Sequence, residues 1–210
     1  LRFFHKTIDF LTYFDKYRDM IIEFRVGNFL SFKEISTLSM VATPDKEHLK
    51  DNVVGVSNNM NLLKSAVIYG ANGSGKSNLI HALNFMTGFV LMSAMHPGSA
   101  ALPSHAFRLS NKTVNKPSYF EVIFWSKARR FRYGFEITNN KVVTEWFFHT
   151  PKTKEVTLFT REGNKIDIGP SFKEARDNRG IDKNLKEGKL FLPMIGASSD
   201  RGTPSDIAME

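Results

Sequence analysis

The run Gly70-Ala71-Asn72-Gly73-Ser74-Gly75-Lys76-Ser77 constrains this chain more than any other stretch of it. It fits the spacing G-x-x-x-x-G-K-[ST], follows a short apolar run at 65–69, and opens a segment whose apolar residues fall at 79, 80, 83, 86 and 90. Strand, loop, helix is the expected order, with the helix spanning about 76–93. In that geometry backbone N–H groups converge on a phosphate and the helix dipole adds positive potential. Gly70 lets the chain leave the strand, while Gly73 and Gly75 can take positive φ and admit oxygens where a β-carbon would clash. Lys76 places a point charge on the outer phosphates, and the Ser77 hydroxyl is the expected magnesium ligand. Ala71, Asn72, Ser74 and Asn78 complete the candidate nucleotide cradle.

Hydrolysis needs more than a cradle. An acid on a neighbouring strand must hold magnesium, and a second group must orient water. No aspartate occurs between Asn78 and Gly163, and Asp167, Asp177, Asp182, Asp200 and Asp206 follow no run of four apolar residues. The run 11–15, ending at Asp15, is a weak imitation of such a strand and precedes the loop. Glu121 and Glu145 are the acids left open for a complete small P-loop ATPase, against their ordinary role as solvent-facing strand charges. The sequence Asn164-Lys165-Ile166-Asp167 matches the guanine-reading N-K-x-D pattern but has no D-x-x-G upstream of it, so a hairpin turn at Gly163-Asn164 explains it better.

Elsewhere the pattern is mostly strand. A strand starts at Met20, a turn at Gly27-Asn28 leads to a second strand over 34–42, and 43–60 is polar loop. Segments 119–125, 129–138, 141–149 and 155–161 alternate with turn signals, which predicts an antiparallel meander. Residues 171–188 could form a polar helix, and 1–19 resemble a helical extension. The chain is 210 residues long with a formal charge of +8; between 105 and 165 twelve Lys and Arg face five Asp and Glu, so the meander carries most of the excess. Lys127, Arg129, Arg130 and Arg132 with Trp125 form a candidate nucleic-acid patch, although solvated strands explain such charges as well.

Cysteine is absent and the six histidines have no ligand spacing, which disfavours a disulfide framework or a zinc site. Residues 78–107 carry no charged side chain, but His81, Asn84, Gly88, His96, Pro97 and Pro103 argue for a buried helix rather than a membrane span. No signal peptide is recognisable at residues 1–19, and a cytoplasmic location without membrane contact is expected.

Residues 20–33, 36–40 and 61–80 resemble the start of prokaryotic AAA-family ATPases of the ABC/SMC/RecF-like type, with the abortive-infection ATPases as the closest subgroup. Residues 120–124, 132–136 and the basic meander are similar to the β-rich arm of that family's head, so the likeness covers about 20–190. The implied fold is an α/β P-loop NTPase, here the N-terminal lobe of an ABC-type head with an antiparallel β-rich arm. The implied cofactors are ATP and Mg2+, with Ser77 on the metal. The likeness also brings Asn28, Phe29, Ser31, Phe32 and Lys33 near the nucleotide; Leu30 stands where Arg or Lys is usual, leaving Lys33 as the substitute. Signature motif, Walker B acids, switch histidine and Q-loop glutamine are not found. The resemblance therefore implies a truncated or split head with 191–210 as an atypical tail. Its implied partners are a complementing ATPase half or homologous head, and DNA or a toxin or nuclease in phage defence.

Overall fold

The computed structural model describes residues 19–45, 49–57, 59–95, 105–177, 180 and 185–196. The expected helix at 1–19 lies almost wholly outside them, as does the tail beyond 196. Seven strands form one sheet in the order β2-β1-β5-β6-β7-β8-β9, and every neighbouring pair is antiparallel. They are β1 (Met20–Gly27), β2 (Ser36–Ser39), β5 (Ser118–Ser126), β6 (Arg129–Ile137), β7 (Val142–Thr150), β8 (Val156–Glu162) and β9 (Lys165–Ile168). The predicted meander is thus found strand for strand, and Gly163-Asn164 turns β8 into β9.

Side-chain alternation explains the two faces. Along β6, Phe131, Tyr133, Phe135 and Ile137 are buried while Arg130, Arg132 and Glu136 point the other way, as the period-2 pleat requires. Helix α2 (Lys76–Met92) lies on the apolar face with Ala82, Met86, Phe89 and Val90 buried. Rings of Phe29, Phe85, Phe89, Phe120 and Phe135 pack there with centroids 4.9–5.9 Å apart. Such pairs add about 0.5–1.5 kcal/mol each beyond burial. Lys76–Met95 is long and apolar enough to cross a membrane by length and composition, and its inner side is the one that meets the sheet.

Part of the opposite face is covered by a hairpin that the sequence left as polar loop. Helix α1 (Leu49–Asn52) leads into β3 (Val53–Ser57) and β4 (Met60–Leu63), and Leu62 packs with Ile22 and Ile123, flanked by Trp125. The remainder of that face holds a charged chain. Glu23 pairs with Arg25 at 2.6 Å, Arg25 with Glu121 at 3.0 Å, Glu121 with Arg132 at 3.0 Å, and Arg132 with Glu155 at 2.6 Å. Gly134 is required here: a β-carbon would lie 2.5 Å from the Trp146 ring, whose Nε1 donates to Glu121 at 2.8 Å.

Two sequence expectations are corrected. Residues 191–196 are not an atypical tail: they form α4 (Phe191–Gly196), which buries Phe191, Leu192, Pro193 and Ile195 against the core. In place of a polar helix over 171–188, the described residues show α3 (Lys173–Asp177), anchored by buried Phe172 and Ala175.

The third correction concerns the run before the glycine loop. Residues 65–69 pair with no strand among the described residues, and Val67, Ile68 and Tyr69 are 72%, 40% and 88% exposed. An apolar strand of this type is normally held by neighbours on both edges. This run joins neither edge of the antiparallel sheet, β2 or β9.

Candidate functional site

The loop at 70–75 leaves that unpaired run and enters α2 at Lys76. Gly73 has φ 80° and Gly75 φ 95°, the left-handed region where a β-carbon is strained. Gly75 is also the N-cap of α2 and provides no side-chain cap. The N-terminal amides of a 17-residue helix therefore open toward the loop, and no acidic residue in the first turn opposes an anion there.

Lys76 folds back over the loop, its Nζ donating to the carbonyls of Gly70 at 2.7 Å and Ala71 at 2.8 Å. This sets its charge across the mouth of the cradle. Room is tight behind the loop: a β-carbon on Gly70 would lie 2.6 Å from the Ser74 hydroxyl, and one on Gly75 would lie 2.6 Å from that of Ser31. Ser77 is exposed on the first turn of the helix, and Asn78 donates from Nδ2 to Ser31 Oγ at 2.9 Å. Residues 70–74 and Ser77 are exposed, while Gly75, Lys76 and Asn78 are half-buried at the start of the helix.

The segment after β1 does come to this loop, but through Ser31. A tight turn with reciprocal bonds between Phe29 and Phe32, at 2.9 and 2.8 Å, presents Ser31 to Gly75 and Asn78. Asn28 and Phe29 belong to the framework instead. The Asn28 amide donates to the carbonyls of Thr113 and Lys116 at 2.9 and 2.8 Å and accepts from the Phe107 N–H at 3.1 Å. Phe29 is 1% exposed, with its ring between Phe85 and Phe120. Lys33 is exposed beside Glu34 at 3.9 Å. None of these three makes a contact with the loop that would favour a ligand role over a structural one.

The two carboxylates left open as hydrolytic acids are tied up elsewhere. Glu121 is 1% exposed and engaged by Arg25, Arg132 and Trp146. Glu145 is 1% exposed, accepts from the N–H groups of Phe191 and Leu192 at 2.7 and 3.0 Å and from the Tyr133 hydroxyl at 3.0 Å, and faces Arg161 at 3.5 Å. Burial pushes its carboxyl above the ordinary carboxylate range despite Arg161, and lowers the Arg161 guanidinium likewise. The cluster sits by α4 and Ser93, at the far end of α2 from the loop, a helix length of about 25 Å away. Both acids are structural here, so neither supplies the missing catalytic group. No group of three or more His, Cys, Asp or Glu among the described residues could hold a metal.

The proposed nucleic-acid patch is also redrawn. Arg132 is held by Glu121 and Glu155 and lies 4.3 Å over the Phe148 ring, while Trp125 packs beside the Ile22, Leu62 and Ile123 cluster. In Asn164-Lys165-Ile166-Asp167, Lys165 and Asp167 pair at 3.4 Å on the open side of the β8–β9 hairpin.

A glycine loop with left-handed Gly73 and Gly75, closed by a lysine at the start of a long helix, defines a P-loop nucleotide-binding protein. The family described as "AAA domain, putative AbiEii toxin, Type IV TA system" matches residues 65–192, more than half of the chain, and the chain belongs to this family of P-loop ATPase domains. Neither a curated protein nor a solved structure matches it. AAA domains use ATP with Mg2+, and the residues here fit that pair: the cradle is lined by N–H groups, a lysine and a serine hydroxyl, with no acid in the helix's first turn.

Proposed function

We propose that this chain is the nucleotide-binding part of an ABC/SMC/RecF-type ATPase head in an abortive-infection, phage-defence system, and that it holds MgATP on residues 70–78. Lys76 contacts the outer phosphates, Ser77 reaches the magnesium ion, and Gly73 and Gly75 offer their amides, joined by that of Ser74 once it leaves the Ala71 carbonyl, to which it donates at 3.2 Å. The carrying observation is the Lys76 ammonium held 2.7–2.8 Å from two loop carbonyls, ready to exchange them for phosphate oxygens.

Hydrolytic acids come from outside the described residues, through a complementing ATPase half or a homologous head. Support for that lies in the exposed run at 65–69 and in the bare outer side of α2, where Ile80, Leu91 and Met92 are 49%, 50% and 60% exposed. A lobe of parallel strands carrying an acid would cover both features. A toxin or nuclease is the effector such a head would drive.

Calorimetry and thermal unfolding with MgATP test the assignment. Nucleotide at 100 times its dissociation constant should stabilise the fold by about 2.7 kcal/mol. For a chain of this size that is a rise in Tm of roughly 5–10 °C. Lys76→Ala should abolish it, and an undiminished shift in that variant overturns the reading.

A further inference from the structure

We propose that Asn72 is a site of spontaneous, irreversible deamidation that disables the phosphate cradle when the cradle stands empty. Asn72-Gly73 is the only Asn-Gly pair in the chain, and it lies inside the glycine loop. Both residues are exposed, and among the described residues neither the Asn72 side-chain amide nor the Gly73 N–H has a hydrogen-bonding partner. A β-carbon on Gly73 would meet nothing within 4 Å, so this side of the loop is open to water.

The reaction needs only these two residues and water. The Gly73 backbone nitrogen gives up its proton to solvent and attacks Asn72 Cγ. A bond forms between that nitrogen and Cγ, the bond from Cγ to Nδ2 breaks, and Nδ2 takes a proton from water and leaves as ammonia. Water then opens the cyclic imide. Opening at the side-chain carbonyl gives aspartate; opening at the main-chain carbonyl gives isoaspartate, in which the chain runs through Cβ. A side chain on the following residue crowds the attack, and glycine has none.

The fold decides when the ring can close. Gly73 at φ 80°, Asn72 outside the left-handed region and the Ser74 N–H on the Ala71 carbonyl at 3.2 Å make 71–74 a type II turn. A ψ of about +120° at Asn72 in such a turn holds the Gly73 nitrogen out of the ring plane. Closure therefore waits for local opening of a turn that one 3.2 Å hydrogen bond closes. Phosphates bound to the loop amides would pin it shut. Either product puts a carboxylate one residue from the Ala71 carbonyl that Lys76 Nζ contacts at 2.8 Å. There it competes with phosphate for the ammonium and repels the nucleotide. Isoaspartate also adds a methylene to the main chain and so shifts the Gly73 and Ser74 amides. The effect on the cradle rests on the MgATP reading; the reaction does not.

Peptide mapping by mass spectrometry of the full chain, aged in mildly alkaline buffer with and without MgATP, tests both parts. The gain in mass of an NH2-to-OH exchange should appear at Asn72 well before Asn111, Asn140 and Asn164, which are also exposed but precede lysines. MgATP at 100 times its dissociation constant leaves about 1% of the loops free and should slow conversion about a hundredfold. The converted fraction should bind MgATP at least about tenfold more weakly, and Asn72→Asp should show the same loss when fresh. Asn72→Gln, whose longer side chain disfavours the ring, should keep through ageing whatever affinity it starts with. Conversion at Asn72 no faster than at the three comparison sites overturns the proposal. So does undiminished conversion under MgATP that calorimetry shows to be bound, or unimpaired affinity in Asn72→Asp. Rapid conversion in a chain that binds no MgATP would sink the ATP reading instead and leave the modification standing.

Discussion

The Ser31 hydroxyl accepts from the Asn78 side-chain amide at 2.9 Å and also fills the space where a β-carbon of Gly75 would stand. One turn of the sheet arm therefore fixes the start of the helix that carries Lys76 and Ser77. The shape of the phosphate cradle depends on the arm as well as on its own glycines.

This gives a two-part prediction for Gly75. Gly75→Ala meets left-handed strain of about 1–2 kcal/mol, together with the Ser31 clash, and should lower MgATP affinity by more than about tenfold. Adding Ser31→Gly removes the clash but not the strain, so calorimetry on the double variant should show partial recovery. Full recovery would mean that the left-handed backbone is immaterial.

Glu145 and Arg161 have fully buried side chains. Glu145→Gln strands the guanidinium charge among Tyr133, Lys189 and α4, and should cost about 3–5 kcal/mol in urea unfolding. Pairing Glu145→Leu with Arg161→Met should restore most of the stability, because the desolvation cost disappears with both charges. A single variant as stable as the parent would sink this account.

His149 sets part of the pH dependence. The ring is 8% exposed beside Phe131, and neither nitrogen meets a hydrogen-bonding partner among the described residues. Burial first, and then Arg129, lowers its pKa below the ordinary 6.5. The unfolded chain thus binds the proton more readily, and the stability that His149 contributes above about pH 6.5 is lost as pH falls toward the depressed value. Glu155, held below the usual carboxylate range chiefly by its hydrogen bond from Arg132, loses its contribution at lower pH in the same sense. Glu145, raised by burial, works in the opposite sense. His149→Phe isolates the histidine: it should stabilise the protein by about 1–3 kcal/mol at pH 8, and its advantage in Tm should widen below pH 6.5. A constant gap would count against the titration.

The meander and the glycine loop were legible because their signals are local: alternation over nine residues and a fixed spacing of glycine, lysine and serine. The roles of the two glutamates were not drawn from it, although strand parity held a clue. Glu145 shares the inward parity of Phe147 and His149, and Arg161 that of Phe159, which marks a buried pair. Glu121 has the parity of the outer face, and only the folding of Arg25, Arg132 and Trp146 over it takes it out of solvent. The hairpin β3–β4 escaped notice because its strands have five and four residues and depend on Ile22 and Ile123, distant in sequence. Residues 65–69 show the converse: a strong apolar signal forms no ladder when no strand among the described residues pairs with it.

That bare run, with no backbone hydrogen bond among the described residues beside Val67, Ile68 and Tyr69, is an open invitation to whichever strand arrives first. Made alone, the polypeptide should be a ready client for chaperones and proteases and a seed for clumping. On the proposed assembly with a complementing lobe, the same five-residue stretch would be the seam along which the two halves join.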